Sequence, residues 1–197
     1  MMNFKKIVII IFLYLINFNN VYSIEPDVFV QSTVNRASNI LSRDISKEEK
    51  IKELKLIAKE TVDIRGVGFY SLGSVRKNLD KNQKKIYLKL FESYFLKSFS
   101  SRLSEYTNPK IKVNNKKVLN KNYTIVNSLL IGTSQRPEVK IDWRIYTKNP
   151  DNPLIRDLII EGLSLARTQK EEFASILSYN NGDINALFKT LEEFSNN

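Results

Sequence analysis

The chain has 197 residues, a length typical of one domain, and it contains neither histidine nor cysteine. This composition excludes His/Cys zinc sites, thiol chemistry and disulfides. Lysine and arginine exceed aspartate and glutamate by 31 to 21, but the basic residues are spread along the chain instead of forming one run, so we expect no nucleic-acid partner.

Residues 1–23 have the pattern of a secretory signal peptide. Lys5 and Lys6 precede an apolar run from Ile7 to Ile16, which is shorter than the about 20 residues that a membrane-spanning helix needs. The segment 21–23 ends in a small residue, Ser23, and predicts cleavage before residue 24. The predicted domains are therefore a signal peptide, 1–23, and one mature domain, 24–197. A retained N-terminal anchor is the alternative.

The first half of the mature chain predicts helices. Residues 26–42 place apolar side chains near a 3.6-residue period, and Ser46 with Glu49 forms a capping-box pattern that opens a second helix. The glycine-containing stretch 62–73 predicts short helical turns. Residues 84–106 form the strongest helical pattern, with an apolar stripe of Ile86, Leu90, Phe91, Tyr94, Phe95, Phe99, Leu103 and Tyr106.

The pattern then changes to strands and back to helices. Four strands are predicted at 111–113, 123–131, 139–147 and 154–161, and "NNKK" is interpreted as a turn. Val139, Ile141, Trp143 and Ile145 alternate with polar residues, as in a half-buried antiparallel strand. Two helices follow. Helices, four strands and helices in this order indicate an α+β fold and not a βαβ sheet. Periodicity leaves open whether the apolar face closes a solid core or lines a pocket.

Ser164 lies in a segment, 162–166, that is one residue short of the G-x-S-x-G motif of hydrolases. Histidine, the usual base that activates a serine, is absent, and a Ser-Lys arrangement with Lys170, six residues on, is the alternative. We therefore predict that Ser164 caps the helix that follows it. Asp142 and Asp157 are the strand carboxylates that an enzyme could use, and Asp142 alternates away from the apolar face.

Two stretches resemble the MlaC (toluene-tolerance, auxiliary) family. The central stretch, 62–106, contributes Asp63, Leu72, Gly73, Gln83, Phe91, Phe95 and Tyr106. The C-terminal stretch, 155–194, contributes Asp157, Glu161, Gly162, Leu163, Ser164, Phe173, Gly182, Asp183, Leu187 and Leu191. With the signal peptide and the strands, the resemblance covers nearly the whole mature chain.

The resemblance implies an NTF2-like cone, in which a curved four-stranded antiparallel sheet is wrapped by N- and C-terminal helices. It implies a periplasmic glycerophospholipid carrier without cofactor or enzymatic activity. By the same resemblance, such a carrier is expected to be a monomer. It shuttles lipid between an inner-membrane ABC transporter complex and an outer-membrane lipoprotein of the Mla type, and so maintains outer-membrane lipid asymmetry. The alternatives are a protein-binding or structural NTF2-like domain with a filled core, and a small-molecule enzyme.

Under this resemblance the apolar face of the sheet and the helices over it line an acyl-chain pocket. The expected lining residues are Val67, Phe69, Leu72, Phe91, Phe95, Val139, Ile141, Trp143, Ile145, Leu158, Ile160, Leu163, Leu165 and Phe173. Arg136, Lys140 and Arg144 are either a basic ring at the pocket opening or an ordinary solvated face.

Overall fold

The structure is a computed structural model that describes residues 23–134 and 136–196. The predicted signal peptide lies outside the described residues, apart from Ser23. The helices are α1 (Pro26–Ser42), α2 (Lys47–Thr61), α3 (Ile64–Ser71), α4 (Lys81–Leu103), α5 (Leu165–Tyr179) and α6 (Ile184–Asn196). The strands are β1 (Ile111–Asn120), β2 (Tyr123–Leu130), β3 (Val139–Tyr146), β4 (Leu154–Ile160) and β5 (Leu163–Ser164). No helix in the described part of the chain is long and apolar enough to span a bilayer.

Side-chain caps fix where the helices begin. Ser46 Oγ accepts a hydrogen bond from Glu49 N at 3.2 Å, and Glu49 Oε2 accepts one from Ser46 N at 3.1 Å, which confirms the predicted capping box of α2. Asp80 and Gln83 form a second capping box. This box starts α4 at residue 81, three residues before the predicted start.

The sheet is an antiparallel meander in the order β1-β2-β3-β4-β5. The predicted α+β class and the four main strands are confirmed, and β5 adds a two-residue strand beside β4. The predicted turn at "NNKK" is wrong, because residues 114–117 continue β1 as an edge strand paired with β2. Polar side chains suit that position, since most of β1 is exposed.

One face of the sheet forms the floor of the core. Ile141, Trp143 and Ile145 are buried and Val139 is half-buried, which confirms the predicted alternation along β3. The Trp143 indole Nε1 donates to Ser128 Oγ at 2.8 Å across the strand pair. Because the only polar atom of the indole has a partner, Trp143 can be buried here without an unsatisfied donor.

The helices cover this face, and α4 lies at the centre of the cluster. Its Tyr87 and Phe91 are fully buried and pack against Phe173 of α5. The stretch 62–73 forms α3 as predicted. At Gly68 an added Cβ would lie 2.8 Å from the Phe91 ring, so the absence of a side chain lets α3 approach α4 closely.

Candidate functional site

An apolar cavity of about 180 Å³ lies between α4, α5 and the inner face of β3 and β4. Its apolar walls are Val62, Val67, Phe91, Phe95, Phe99, Trp143, Ile155, Leu158 and Leu165. Phe91, Phe95 and Phe99 are four residues apart on α4, and their rings follow one another at centroid distances of 6.1 and 5.6 Å. Such a row of rings gives a long apolar surface without directional bonding demands.

The cavity brings together part of the predicted lining set. Val67, Phe91, Phe95, Trp143, Leu158 and Leu165 line it. The cavity lining does not include Phe69, Leu72, Val139, Ile141, Ile145, Ile160 and Phe173, although all seven are buried or half-buried. Phe173 packs against the lining residue Phe91, with the two rings at 89° to each other.

Leu163 does not face the interior as expected, since 59% of its surface is exposed. The turn that precedes it explains the difference. Glu161 and Gly162 both have positive φ, 48° and 84°, which reverses the chain sharply and starts β5 with Leu163 on the outside. The inward orientation predicted for Leu163 is therefore wrong.

Of the two alternatives for Arg136, Lys140 and Arg144, a basic ring at this cavity is not what the described residues form. Arg144 and Lys140 alternate with Trp143 and Ile141, so they extend from the opposite face of β3. Arg144 lines a separate cleft of about 350 Å³ on that face. Arg136 lies in the β2–β3 connection, with its guanidinium over the Tyr106 ring.

A polar rim borders the cavity, and sequence reasoning did not identify it. On α4 the rim residues are Tyr94, Ser98 and Arg102, and on α5 they are Thr168, Gln169 and Glu172. The spacing of four residues between 94, 98 and 102 was a visible signal, because it places one polar stripe beside the phenylalanine row.

One chain of hydrogen bonds crosses the rim. The Tyr94 hydroxyl donates to Gln169 Oε1 at 2.9 Å, and Gln169 Nε2 donates to Glu172 Oε2 at 2.9 Å. Burial raises the pKa of Tyr94, the hydrogen bond to Gln169 lowers it, Glu172 raises it and Arg102 lowers it, with a net increase. The Tyr94 hydroxyl is therefore neutral at ordinary pH and lies within the electrostatic range of both a carboxylate and a guanidinium.

A polar joint connects α3 and β4 at one end of the cavity. Arg156 donates from Nε to Asp63 Oδ2 at 2.6 Å and from Nη1 to the Tyr123 hydroxyl at 2.7 Å, and it lies 3.9 Å from the centroid of the Tyr146 ring. Asp63 Oδ1 also accepts from Gly66 N at 2.8 Å, which caps α3. These contacts hold the Arg156 guanidinium inside the protein, at the joint.

Comparison with known proteins identifies the family. The family model described as MlaC protein matches residues 31–193. The chain belongs to the MlaC family. It is also similar in fold to the three-dimensional structure of a phospholipid-binding protein from Ralstonia solanacearum in complex with a phospholipid, with a TM-score of 0.73 and 17% sequence identity over 87% of this chain and 97% of that one. No curated protein matches the sequence.

The segment around Ser164 forms a second joint, between β4 and α5. Ser164 Oγ accepts from Arg167 N at 3.1 Å, so the predicted helix cap is confirmed. The same hydroxyl donates to Asp157 Oδ2 at 2.7 Å, and Asp157 Oδ1 accepts from Ala166 N at 3.0 Å. Asp157 is 5% exposed and satisfies two groups at the start of the helix.

The other strand carboxylate is also engaged in a local contact. Asp142 Oδ1 accepts from Asn127 Nδ2 at 2.6 Å on the face of the sheet opposite the cavity. In residues 23–134 and 136–196, no group of three or more acidic, His or Cys side chains could hold a metal ion. The cavity is thus an apolar chamber with a polar border.

Proposed function

We propose that this MlaC-family protein is a glycerophospholipid carrier that binds acyl chains in the cavity between α4 and α5. The observation that carries the proposal is the apolar cavity itself, with its row of phenylalanines and its polar rim. The phospholipid complex of the structurally similar Ralstonia protein supports the same ligand class.

The physical need for such a cavity follows from the cost of exposing acyl chains to water. At about 0.8 kcal/mol per methylene, roughly 30 methylenes cost more than about 20 kcal/mol. A carrier must therefore enclose the chains almost completely. Flexible chains of varied length have no polar groups to bind, so apolar rings and branched side chains are the suitable lining.

The cavity must widen to hold a lipid. Its volume of about 180 Å³ is close to that of engineered cavities of about 150 Å³ that bind one benzene molecule. We expect α4 and α5 to separate when a lipid enters. In the described part of the chain a single side-chain hydrogen bond, Tyr94–Gln169, links these two helices. The described state is then the closed form.

Carriage of this kind requires no nucleophile, metal or cofactor, and we propose that the protein is not an enzyme. The Ser164 hydroxyl and the Asp157 carboxylate are both engaged at the start of α5. Loss of Ser164 would therefore change stability and not a chemical step.

The proposal includes the cellular setting. Residues 1–23 direct export, the mature chain begins at Ile24 and acts as a monomer in the periplasm, and it exchanges lipid with an inner-membrane ABC transporter complex and an outer-membrane lipoprotein of the Mla type. N-terminal sequencing of the exported protein tests the first step. A chain that begins at Met1 in the membrane fraction would contradict it.

The decisive experiment measures bound lipid. We expect the mature protein, purified without added lipid, to contain phospholipid in a defined stoichiometry by native mass spectrometry. Ser98→Trp places an indole in the cavity from its rim, and overpacking of this kind should lower lipid occupancy about fivefold or more. Ser93→Trp, on the exposed side of the same helix, is the matched control.

Two outcomes would contradict the proposal. A wild-type protein that contains no phospholipid and takes none up from vesicles would favour the filled-core, protein-binding alternative. Equal lipid content in both tryptophan variants would mean that lipid binds somewhere other than this cavity.

A further inference from the structure

The two sides of the rim carry opposite charges. Arg102 lies in the last turn of α4 and Glu172 lies on α5, and both line the same cavity. Within residues 23–134 and 136–196 neither side chain forms an ion pair, whereas four other arginines, Arg36, Arg43, Arg144 and Arg156, do. A guanidinium and a carboxylate are therefore both available at the border of an apolar chamber.

Both charges act electrostatically on one hydroxyl group of the rim, that of Tyr94. Glu172 and Arg102 influence the ionisation of Tyr94 in opposite directions. Gln169 accepts from that hydroxyl and donates to Glu172, which holds the carboxylate on the α5 side of the rim. The rim thus has a positive side on α4 and a negative side on α5, with Tyr94 and Gln169 between them.

We infer that the rim recognises a zwitterionic head group, with the phosphodiester at Arg102 and a primary ammonium at Glu172. This inference rests on the proposed carrier function, because it needs the acyl chains in the cavity below the rim. An arginine fork suits phosphate oxygens, and an ammonium offers donors to a carboxylate. A head group of the phosphoethanolamine type carries both groups: a phosphodiester that can bind Arg102 and, beyond it, a primary ammonium that can bind Glu172.

An anionic head group without an amine fits the same rim less well. A phosphatidylglycerol molecule bound at Arg102 would leave its hydroxyls beside Glu172, and its net negative charge would be repelled by that carboxylate. Because the rim is in contact with solvent, we expect a modest preference of about two- to fivefold, the size usual for exposed ion pairs.

The test is competition between two lipids. The delipidated protein is mixed with vesicles that contain equal amounts of phosphatidylethanolamine and phosphatidylglycerol with identical acyl chains, and native mass spectrometry measures the ratio of the two bound lipids. We expect the wild type to favour phosphatidylethanolamine two- to fivefold, Glu172→Gln to bring the ratio close to one, and Arg102→Gln to lower the occupancy of both lipids.

The matched controls lie on α6. Lys189 and Glu193 form an exposed pair at 3.8 Å, so Lys189→Gln and Glu193→Gln repeat the two charge changes away from the cavity. We expect both controls to keep the wild-type ratio and occupancy. The exchanged variant Arg102→Glu/Glu172→Arg should bind phosphatidylethanolamine better than Arg102→Glu alone, because it restores one charge of each sign.

The outcomes separate this inference from the carrier function. A wild type that binds both lipids equally, with no change in Glu172→Gln, overturns the inference and leaves the carrier function intact. A ratio that shifts equally in Glu193→Gln also overturns it, since net charge would then be the cause. A wild type that binds neither lipid overturns both.

Discussion

The beginning and the middle of α5 are attached to the rest of the protein in different ways. At its beginning, two hydrogen bonds to Asp157, from Ser164 Oγ at 2.7 Å and from Ala166 N at 3.0 Å, join the helix to β4, and Ser164 Oγ caps the helix at Arg167 N at 3.1 Å. At its middle, the hydrogen bond between Tyr94 and Gln169 and ring contacts to Phe173 connect it to α4. The start of α5 is therefore held by directional bonds and the middle mostly by apolar packing beside a cavity.

This difference indicates which part should change when a lipid enters. Apolar contacts with α4 can be replaced by contacts with acyl chains at little net cost, because both bury similar surface. The hydrogen bonds at the joints have no such replacement, since a lipid chain offers neither donors nor acceptors. We expect the joints to stay fixed while the space between α4 and α5 opens.

The largest effect on the free energy of unfolding is expected at the joint between α3 and β4. Arg156→Met removes the hydrogen bonds to Asp63 and Tyr123 and leaves the Asp63 carboxylate, 16% exposed, without its counter-charge. We expect the free energy of unfolding to fall by about 2–3 kcal/mol, below the range for fully buried pairs because the Arg156 side chain is 29% exposed. Urea denaturation measures this change.

The control for this variant is Arg76→Met. Arg76 is exposed and has one long hydrogen bond, 3.4 Å, to the carbonyl of Phe69. We expect a loss below about 0.5 kcal/mol, as is usual for surface substitutions. Equal losses in the two variants would mean that the joint is no more rigid than the surface.

Sequence reasoning succeeded where the physical cause is local. The alternation from Val139 to Ile145 fixes one face of a strand, and the Ser46–Glu49 pattern satisfies two backbone groups within four residues. The Ser164 cap was predictable for the same reason. In each case the residues that determine the structure are neighbours in the chain.

Sequence reasoning failed where distant segments of the chain meet or where a turn has an unusual backbone conformation. Tyr94 fits the apolar period of α4, and the sequence pattern therefore places it in the apolar stripe. Its role at the rim comes from the hydrogen bond to Gln169, which lies 75 residues away in the chain. Residues 114–117 resemble a turn because an exposed edge strand carries polar side chains. Leu163 turned outward because Glu161 adopts a positive φ that non-glycine residues seldom adopt.

A second prediction concerns the joint between β4 and α5. Ser164→Ala removes the cap at Arg167 N and one partner of Asp157, so we expect a loss of about 0.5–2 kcal/mol in the free energy of unfolding. Bound phospholipid should stay at the wild-type level. Ser175→Ala, at an exposed interior position of the same helix, should change stability little, because alanine favours helices. A hydrolytic activity that is present in the wild type and lost in Ser164→Ala would show that Ser164 is a nucleophile.

The smallest effect on stability is expected at the rim, together with the clearest effect on lipid exchange. Tyr94→Phe removes the hydrogen bond to Gln169 and keeps the ring that packs 4.8 Å from Phe194. One net hydrogen bond corresponds to about 0.5–1.5 kcal/mol, and Gln169 can still reach solvent, so we expect a loss of stability in the lower half of that range.

If α4 and α5 must separate for lipid to enter, the same free energy should speed the transfer of a fluorescent phospholipid from vesicles by about two- to fivefold. Tyr179→Phe, at the end of α5 and at a position that is 89% exposed, provides the control for loss of a tyrosine hydroxyl. A transfer rate that is unchanged in Tyr94→Phe, despite the lower stability, would mean that lipid enters without breaking this contact and that the helices separate elsewhere.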